Sequence, residues 1–442
     1  YIGSHAFAES GLTSITIPDA VTEVGDRSLQ NCPSLTSITM GNGMTLTPDC
    51  WAENSNNLEE VTIGKNVTFI WWQSFYGSNI KHVYCYAKNP PTYDNEAFYD
   101  GINSEAVLHV YSNSVKRYKN ANGWKDFPNI VGDLGSYTTY DLAVNVTTMG
   151  TFSEALQTAM TAAGCEDMMD ISKLTVTGTV NQDDLYYLRD KVGGTLDALD
   201  LGAVNVEGNV LGHEALAWGG FEEIVLPNSI VTLQGWHVLE GCSNLKTIDI
   251  PNSVTFIGAR TLYGATSLET VTGGNGVTGM DWGDGMYFDI CPNLKSPVIL
   301  GSIIFRLPMG TQGSYEMPDY VTTIARDGMW GVTGLTSLTL PESLTTILGN
   351  ALANDNNLKD IYYYAVELPN TDREAFNSFD RPSCTLHVYE EMVEVFQNND
   401  LWGEFNIVGD LGAMPNLTPM NEADYADLCA INNTLNGSNW TT

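Results

Sequence analysis

The sequence predicts an α/β repeat solenoid, built from short parallel strands joined by turns and short helices and arranged as two arrays in tandem. Three observations predict it. A phrase of the form Leu-Thr-Ser-Ile-Thr-Ile-Pro recurs at near-constant spacing. Within each copy apolar and polar residues alternate, the pattern of a strand with one buried face. An aromatic-rich block that follows the first run of copies returns 278 residues later.

The phrase opens at Leu12-Thr-Ser-Ile15-Thr-Ile17-Pro18 and comes back at Leu35, Leu58 and Ile80, at spacings of 23, 23 and 22 residues. After a break it resumes at Phe221, Leu245, Leu268, Leu294, Leu335 and Leu358; the stretch 301–318 breaks the period and is expected to hide a degenerate copy. In each copy the Ile15 and Ile17 positions face a core, and Ser14 and Thr16 face away. Pro18 or Gly41 then ends the strand, since neither sustains a ladder well. A second apolar pair follows (Val21 and Val24), and a short segment such as Ser28-Leu29 leads back to the next Leu. A unit this small cannot bury a core alone, so its neighbours must stack on it. Cys32, Cys242 and Cys291 each stand three residues before the repeat Leu. Residues at one repeat phase form a column, which predicts small buried thiols rather than disulfides.

Composition narrows the function. The 442 residues carry 53 acidic and 19 basic side chains, a net charge of −34. Nucleic acid and anionic membranes both need clustered Lys and Arg, so neither is expected as a partner. No apolar run approaches the ~20 residues of a membrane span, so no membrane insertion of this fragment is expected. Tyr1 already lies inside a repeat, and the chain therefore reads as an excised piece without its targeting segment.

The phrase from Ile2-Gly3 through Ala6-Phe7 to Leu12-Thr-Ser-Ile-Thr-Ile-Pro18 resembles the BspA-like class of leucine-rich repeats, found on surface and secreted proteins of anaerobic bacteria and some protists. The likeness spans nearly the whole chain. It implies leucine-rich-repeat arcs with strands on the concave side, a cell-surface or secreted location, and adhesion to host matrix proteins, host cells or other bacteria.

The domain plan follows from the duplicated block. Ala97-Phe98, Leu108-His109-Val110-Tyr111 and Trp124 to Phe127 match Ala375-Phe376, Leu386-His387-Val388-Tyr389 and Trp402 to Phe405, and both sets run on to Ile-Val-Gly-Asp-Leu. A terminal repeat needs its open apolar face covered. Residues 79–134 and 357–411 are therefore read as C-terminal caps of a first array, 1–134, and a second array, 138–411. The second array opens with an N-terminal cap at 138–205. There Thr151 or Ser153 starts a helix that Gly164 stops, Leu174–Gly178 forms a strand, and Asn181 caps a second helix. Residues 412–442 are expected to begin a further, helical domain, with a helix over Asn421–Ile431.

No catalytic set stands out, and no enzyme activity or cofactor is expected. Gly274-Asn-Gly276-Val-Thr-Gly279 matches a dinucleotide fingerprint by letter but falls at a repeat turn, without the strand-to-helix setting that chemistry needs. Asp281, Asp284 and Asp289 gather around a Gly without the spacing of a calcium loop, and are read either as a cation site or as a solvated loop. The six histidines show no zinc spacing. What remains is a surface. The candidate binding residues are Glu60 and Tyr84 with Trp71 and Trp72 in the first array, and Thr247, Asp249, Thr270, Thr272, Asp360 and Tyr362 in the second. Exposed aromatics favour interfaces, although the same rings can serve to pack the caps. The expected partner is a host or bacterial surface protein, or a glycan. The alternatives are a structural spacer, or the glycan-recognition arm of a larger degradative protein.

Overall fold

Residues one repeat apart become neighbours in space. Ser14 pairs with Ser37, Ser37 with Glu60 and Glu60 with His82, all in parallel register. The computed structural model describes residues 1–94, 96–281 and 285–415, and it divides into two compact units, Tyr1–Tyr140 and Asp141–Thr442. The expected helix at Asn421–Ile431 lies outside the described residues.

In the first unit six parallel strands follow in chain order: Ser14–Thr16, Ser37–Thr39, Glu60–Ile63, Ile80–Cys85, Ile102–His109 and Asn129–Val131. Their inward column of Ile38, Val61, Val83 and Leu108 is buried, together with the repeat leucines Leu35 and Leu58. Trp124 and Phe127 close the last repeat by packing on Phe98.

Helix Val115–Asn120 precedes the last strand, Asn129–Val131, whereas between the first repeats the segment that leads back to the next strand is a turn rather than a helix. Its alternate amides donate to the next repeat: Arg27 to Asp49, Leu29 to Trp51 and Asn31 to Glu53. Each segment places two residues, four apart, in the left-handed region: Arg27 and Asn31, Cys50 and Asn54, Gln73 and Gly77. Asn31 and Asn54 adopt it at φ of 53° and 58°, and Gly77 takes the same phase at 66°. Asn and Gly are the residues that reach this region at least cost.

The second unit opens with strand Tyr140–Val146, helix Phe152–Ala163, strand Ile171–Val180 and helix Gln182–Leu188. Gly164, at φ 70°, ends the first helix, and Asn181 caps the second through a reciprocal capping box with Asp184. Its first sheet runs Thr270–Gly273, Thr247–Ile250, Glu223–Val225, Ala198–Val206, Ile171–Val180, Tyr140–Val146. A separate five-stranded sheet runs Gly313–Glu316, Leu335–Leu340, Asp360–Tyr363, Thr385–His387, Asn406–Val408.

The interruption between these sheets falls where the period breaks. Val298–Leu300 folds back antiparallel on Ile303–Arg306, which then joins the ladder of short second strands through Thr323–Ile324. The strand of the broken repeat is supplied by Gly313–Glu316, with Tyr315 opposite Leu338 where other copies have an aliphatic residue. The seven cysteines among the described residues are all reduced and buried.

Candidate functional site

The solvent face of each strand sheet carries the residues between the buried ones. In the first unit Thr62, Tyr84 and His109 form one column, because Thr62 pairs with Tyr84 and Tyr84 with His109. The Tyr84 and His109 rings lie nearly parallel, 15° apart with centroids at 4.4 Å. His109 Nδ1 is 2.8 Å from the Asp133 carboxylate, and its Nε2 is 3.1 Å from His82 Nδ1. Glu60, beside His82, hydrogen-bonds the Tyr84 phenol; burial first, and then the Glu60 charge, raise that phenol's pKa above its ordinary value.

The second unit repeats the arrangement on its five-stranded sheet. Thr339, Tyr362 and His387 form the column, and the Tyr362 and His387 rings stack at 4.3 Å and 9°. His387 Nδ1 stands 2.9 Å from Asp410, and Nε2 stands 3.3 Å from Asp360. In both units a stacked Tyr–His pair is therefore held by an aspartate just beyond the last strand, and on the other side by His82 in the first unit and Asp360 in the second. Each such platform sets two aromatic rings beside carboxylates, with the histidine side chains only 12% and 13% exposed.

The candidate residues fall into four separate places. Glu60 and Tyr84 share the first platform, and Asp360 and Tyr362 the second. Thr247, Asp249, Thr270 and Thr272 sit together on the other sheet of the second unit, with Thr247 opposite Thr270 and Asp249 opposite Thr272. There the Thr272 hydroxyl donates to Asp249 at 2.6 Å, so this group is satisfied internally. Trp71 and Trp72 lie off the sheet face, in the turn after Phe69–Ile70. Trp71 packs edge-on against Phe69 and Trp72 Nε1 donates to Glu96 at 2.8 Å, yet they remain 43% and 41% exposed.

Of the three aspartates weighed as cation ligands, Asp284 lies outside the described residues. Asp289 is largely buried 3.3 Å from the Arg306 guanidinium, and burial pushes its carboxyl up to about 6 despite that charge. Among the described residues, no group of three or more His, Cys, Asp or Glu is placed to hold a metal ion.

Sequence reasoning treated His109 and His387 as cap residues and did not join them to Asp133 and Asp410. The usable signal was the phrase Ile-Val-Gly-Asp-Leu that ends both caps, since each aspartate stands two residues beyond the strand position paired with its histidine.

A family model described as BspA type Leucine rich repeat region matches in six copies, over residues 1–105, 209–305 and 310–401. No match was found among curated proteins. Among solved structures, a leucine-rich repeat protein from Bacteroides ovatus is similar at 17% identity, covering 82% of each chain with a TM-score of 0.31. A leucine rich cell surface protein from Faecalibacterium prausnitzii is 16% identical, covering 84% of this chain and 91% of its own, at a TM-score of 0.26. The pneumococcal vaccine antigen PcpA is 14% identical, covering 90% and 78%, at 0.24.

Proposed function

Because this chain belongs to the BspA-type leucine-rich repeat family, we propose that it is a non-catalytic interaction module of a bacterial surface or secreted protein, serving adhesion to host matrix proteins, host cells or other bacteria. The observation that carries this reading is the duplicated platform, Tyr84–His109 and Tyr362–His387. Each lies on a sheet face preorganised by stacked neighbours, so binding there costs little ordering entropy. Two copies on one chain suit a partner that repeats its epitope, where linked weak contacts gain from effective concentration. The net charge of −34 favours a basic partner and association that weakens with salt.

A second reading, glycan recognition, is favoured by the near-parallel rings flanked by carboxylates. The test is titration of the chain against immobilised matrix proteins and a glycan array at two salt concentrations. Saturable, salt-sensitive binding to protein that falls with Y362A supports the adhesion reading, and binding confined to sugars moves it to the second. Silence on every surface overturns both.

A further inference from the structure

A cleft beside the second cap has a counterpart beside the first, and the difference between the two points to a ligand. In the first unit a cleft of about 560 Å³ lies over the strand ends Thr16–Asp19, Thr39–Asn42 and Thr62–Lys65 and is walled by Tyr86 and Tyr111. In the second a cleft of about 940 Å³ lies over the strand ends at Glu316–Asp319 and Thr339–Ser343 and is walled by Tyr364 and Tyr389. The walls are the same structure twice. Tyr86 meets Tyr111 edge to face at 6.0 Å and 78°, and Tyr364 meets Tyr389 at 6.0 Å and 75°. The floors match as well, with Met40 and Met317 both buried.

The charges do not match. The first cleft has Asp19 and Lys65, which offset each other. The second has Glu316, Asp319 and Glu342, and no basic side chain lines it. An independent feature also points into it. Tyr389 is only 8% exposed, and among the described residues no side chain or backbone group is hydrogen-bonded to its hydroxyl. That hydroxyl opens on the cleft and can bond whatever enters it. Burial, with Glu342 and Tyr364 adding, raises its pKa above its ordinary value. Tyr364, which also lines the cleft, is 39% exposed.

We propose that the second cleft receives an arginine side chain from an extended, basic segment of a partner protein. The guanidinium stacks on the open face of Tyr364, donates to the Tyr389 hydroxyl, and finds carboxylates around the rim. A planar cation with several donors matches this set, whereas an ammonium meets only the charge. The first cleft, charge-balanced, discriminates little. The inference rests on the interaction-module reading and adds the partner's chemistry and its place of docking.

The test is calorimetric titration of the full chain with the peptide acetyl-Gly-Arg-Gly-Arg-Gly-amide, and with its lysine and citrulline versions. The arginine peptide is expected to bind best and the citrulline peptide worst. The variant E316Q/D319N/E342Q is expected to lose about tenfold or more in affinity, and Y364L several-fold. The variant E105Q/E154Q/E207Q, which removes the same charge from exposed positions elsewhere, is expected to change little. Equal weakening by both triple variants overturns the proposal, because the acidic field alone then explains binding; citrulline binding as well as arginine overturns it too. Peptide binding at the cleft with no macromolecule bound leaves the site standing and removes the adhesion reading. Undiminished adhesion by E316Q/D319N/E342Q does the reverse.

Discussion

The imidazole of His387 lies flat on the phenol ring of Tyr362, with centroids 4.3 Å apart and planes within 9° of parallel. Parallel pairing puts them on adjacent strands at the same register, and Asp360 and Asp410 hold the imidazole from either end. The contact joins two adjacent strands of one sheet, Asp360–Tyr363 and Thr385–His387. His387→Ala removes the stack and leaves two carboxylates facing one gap, and is expected to cost about 1–2 kcal/mol. Urea unfolding of the full chain measures it, and an unchanged midpoint would show that the column contributes no stability.

Asp355 is fully buried at a repeat phase where the first unit carries Ser55. Neither of its carboxylate oxygens reaches a partner with good hydrogen-bond geometry. Burial pushes the carboxyl up to about 7, against smaller lowering effects from the Val332 amide, Arg306 and the Gly331 amide. The folded value therefore lies above the unfolded one, so the folded state binds the extra proton. The contribution of this group to stability is full below about pH 4 and declines as the pH rises through about 7. Ser55 accepts from the Cys32 amide at 3.1 Å and donates to the Leu29 carbonyl at 3.0 Å. Asp355→Ser is expected to restore that bridge, flatten the decline, and stabilise the unit at pH 8 by about 2–4 kcal/mol. Thermal melts from pH 4 to 8 check this, and parallel profiles for the two proteins would refute it.

Trp402 is 1% exposed and packs against Phe376, Phe396 and Phe405 at centroid distances of 5.0, 5.5 and 5.6 Å. Its Nε1 donates to Thr371 at 3.0 Å. Trp402→Ala empties the middle of the second cap and should cost about 3–5 kcal/mol. Hydrogen exchange should show the loss first in the strands Thr385–His387 and Asn406–Val408. Protection lost evenly across Asp141–Pro415 would mean that the cap and the repeats unfold as one.

Gly301 turns the antiparallel hairpin at φ 57°, and a Cβ built there would stand 1.9 Å from the Val277 carbonyl oxygen. Backbone must move to admit any side chain. Gly301→Ala is expected to destabilise the second unit by about 1–3 kcal/mol, while Gly310→Ala, with open space around its Cβ position, should be near neutral. Comparing the two by urea unfolding isolates the steric effect.

Much of the fold was legible because it is periodic. Leu35, Leu58, Val61 and Cys32 declared their burial through spacing alone, since residues at one phase stack on one another and must share one environment. The two helices near the start of the second unit were legible from Asn181 and Gly164, whose roles are local. The hairpin at Val298–Arg306 was not. It depends on the close approach of Gly301 to a carbonyl one repeat back, and a break in a pattern does not say what replaces it. The candidate surface was legible in part. Tyr84 and Tyr362 stood out as aromatics on strand positions, but Asp133 and Asp410 follow the last strands and gain their histidine partners only through pairing.

Sequence alone therefore determined the repeat, its buried columns and the buried thiols Cys32, Cys242 and Cys291, because each follows from periodic burial of apolar side chains. Tertiary structure decided that Asp355 is buried without a well-placed hydrogen-bond partner, and which polar side chains meet in the Tyr–His platforms and the unequal tyrosine clefts. Those meetings join residues 20 to 30 positions apart, across repeats. Their strength comes from register, geometry and exclusion of water, and composition at a single position carries none of these.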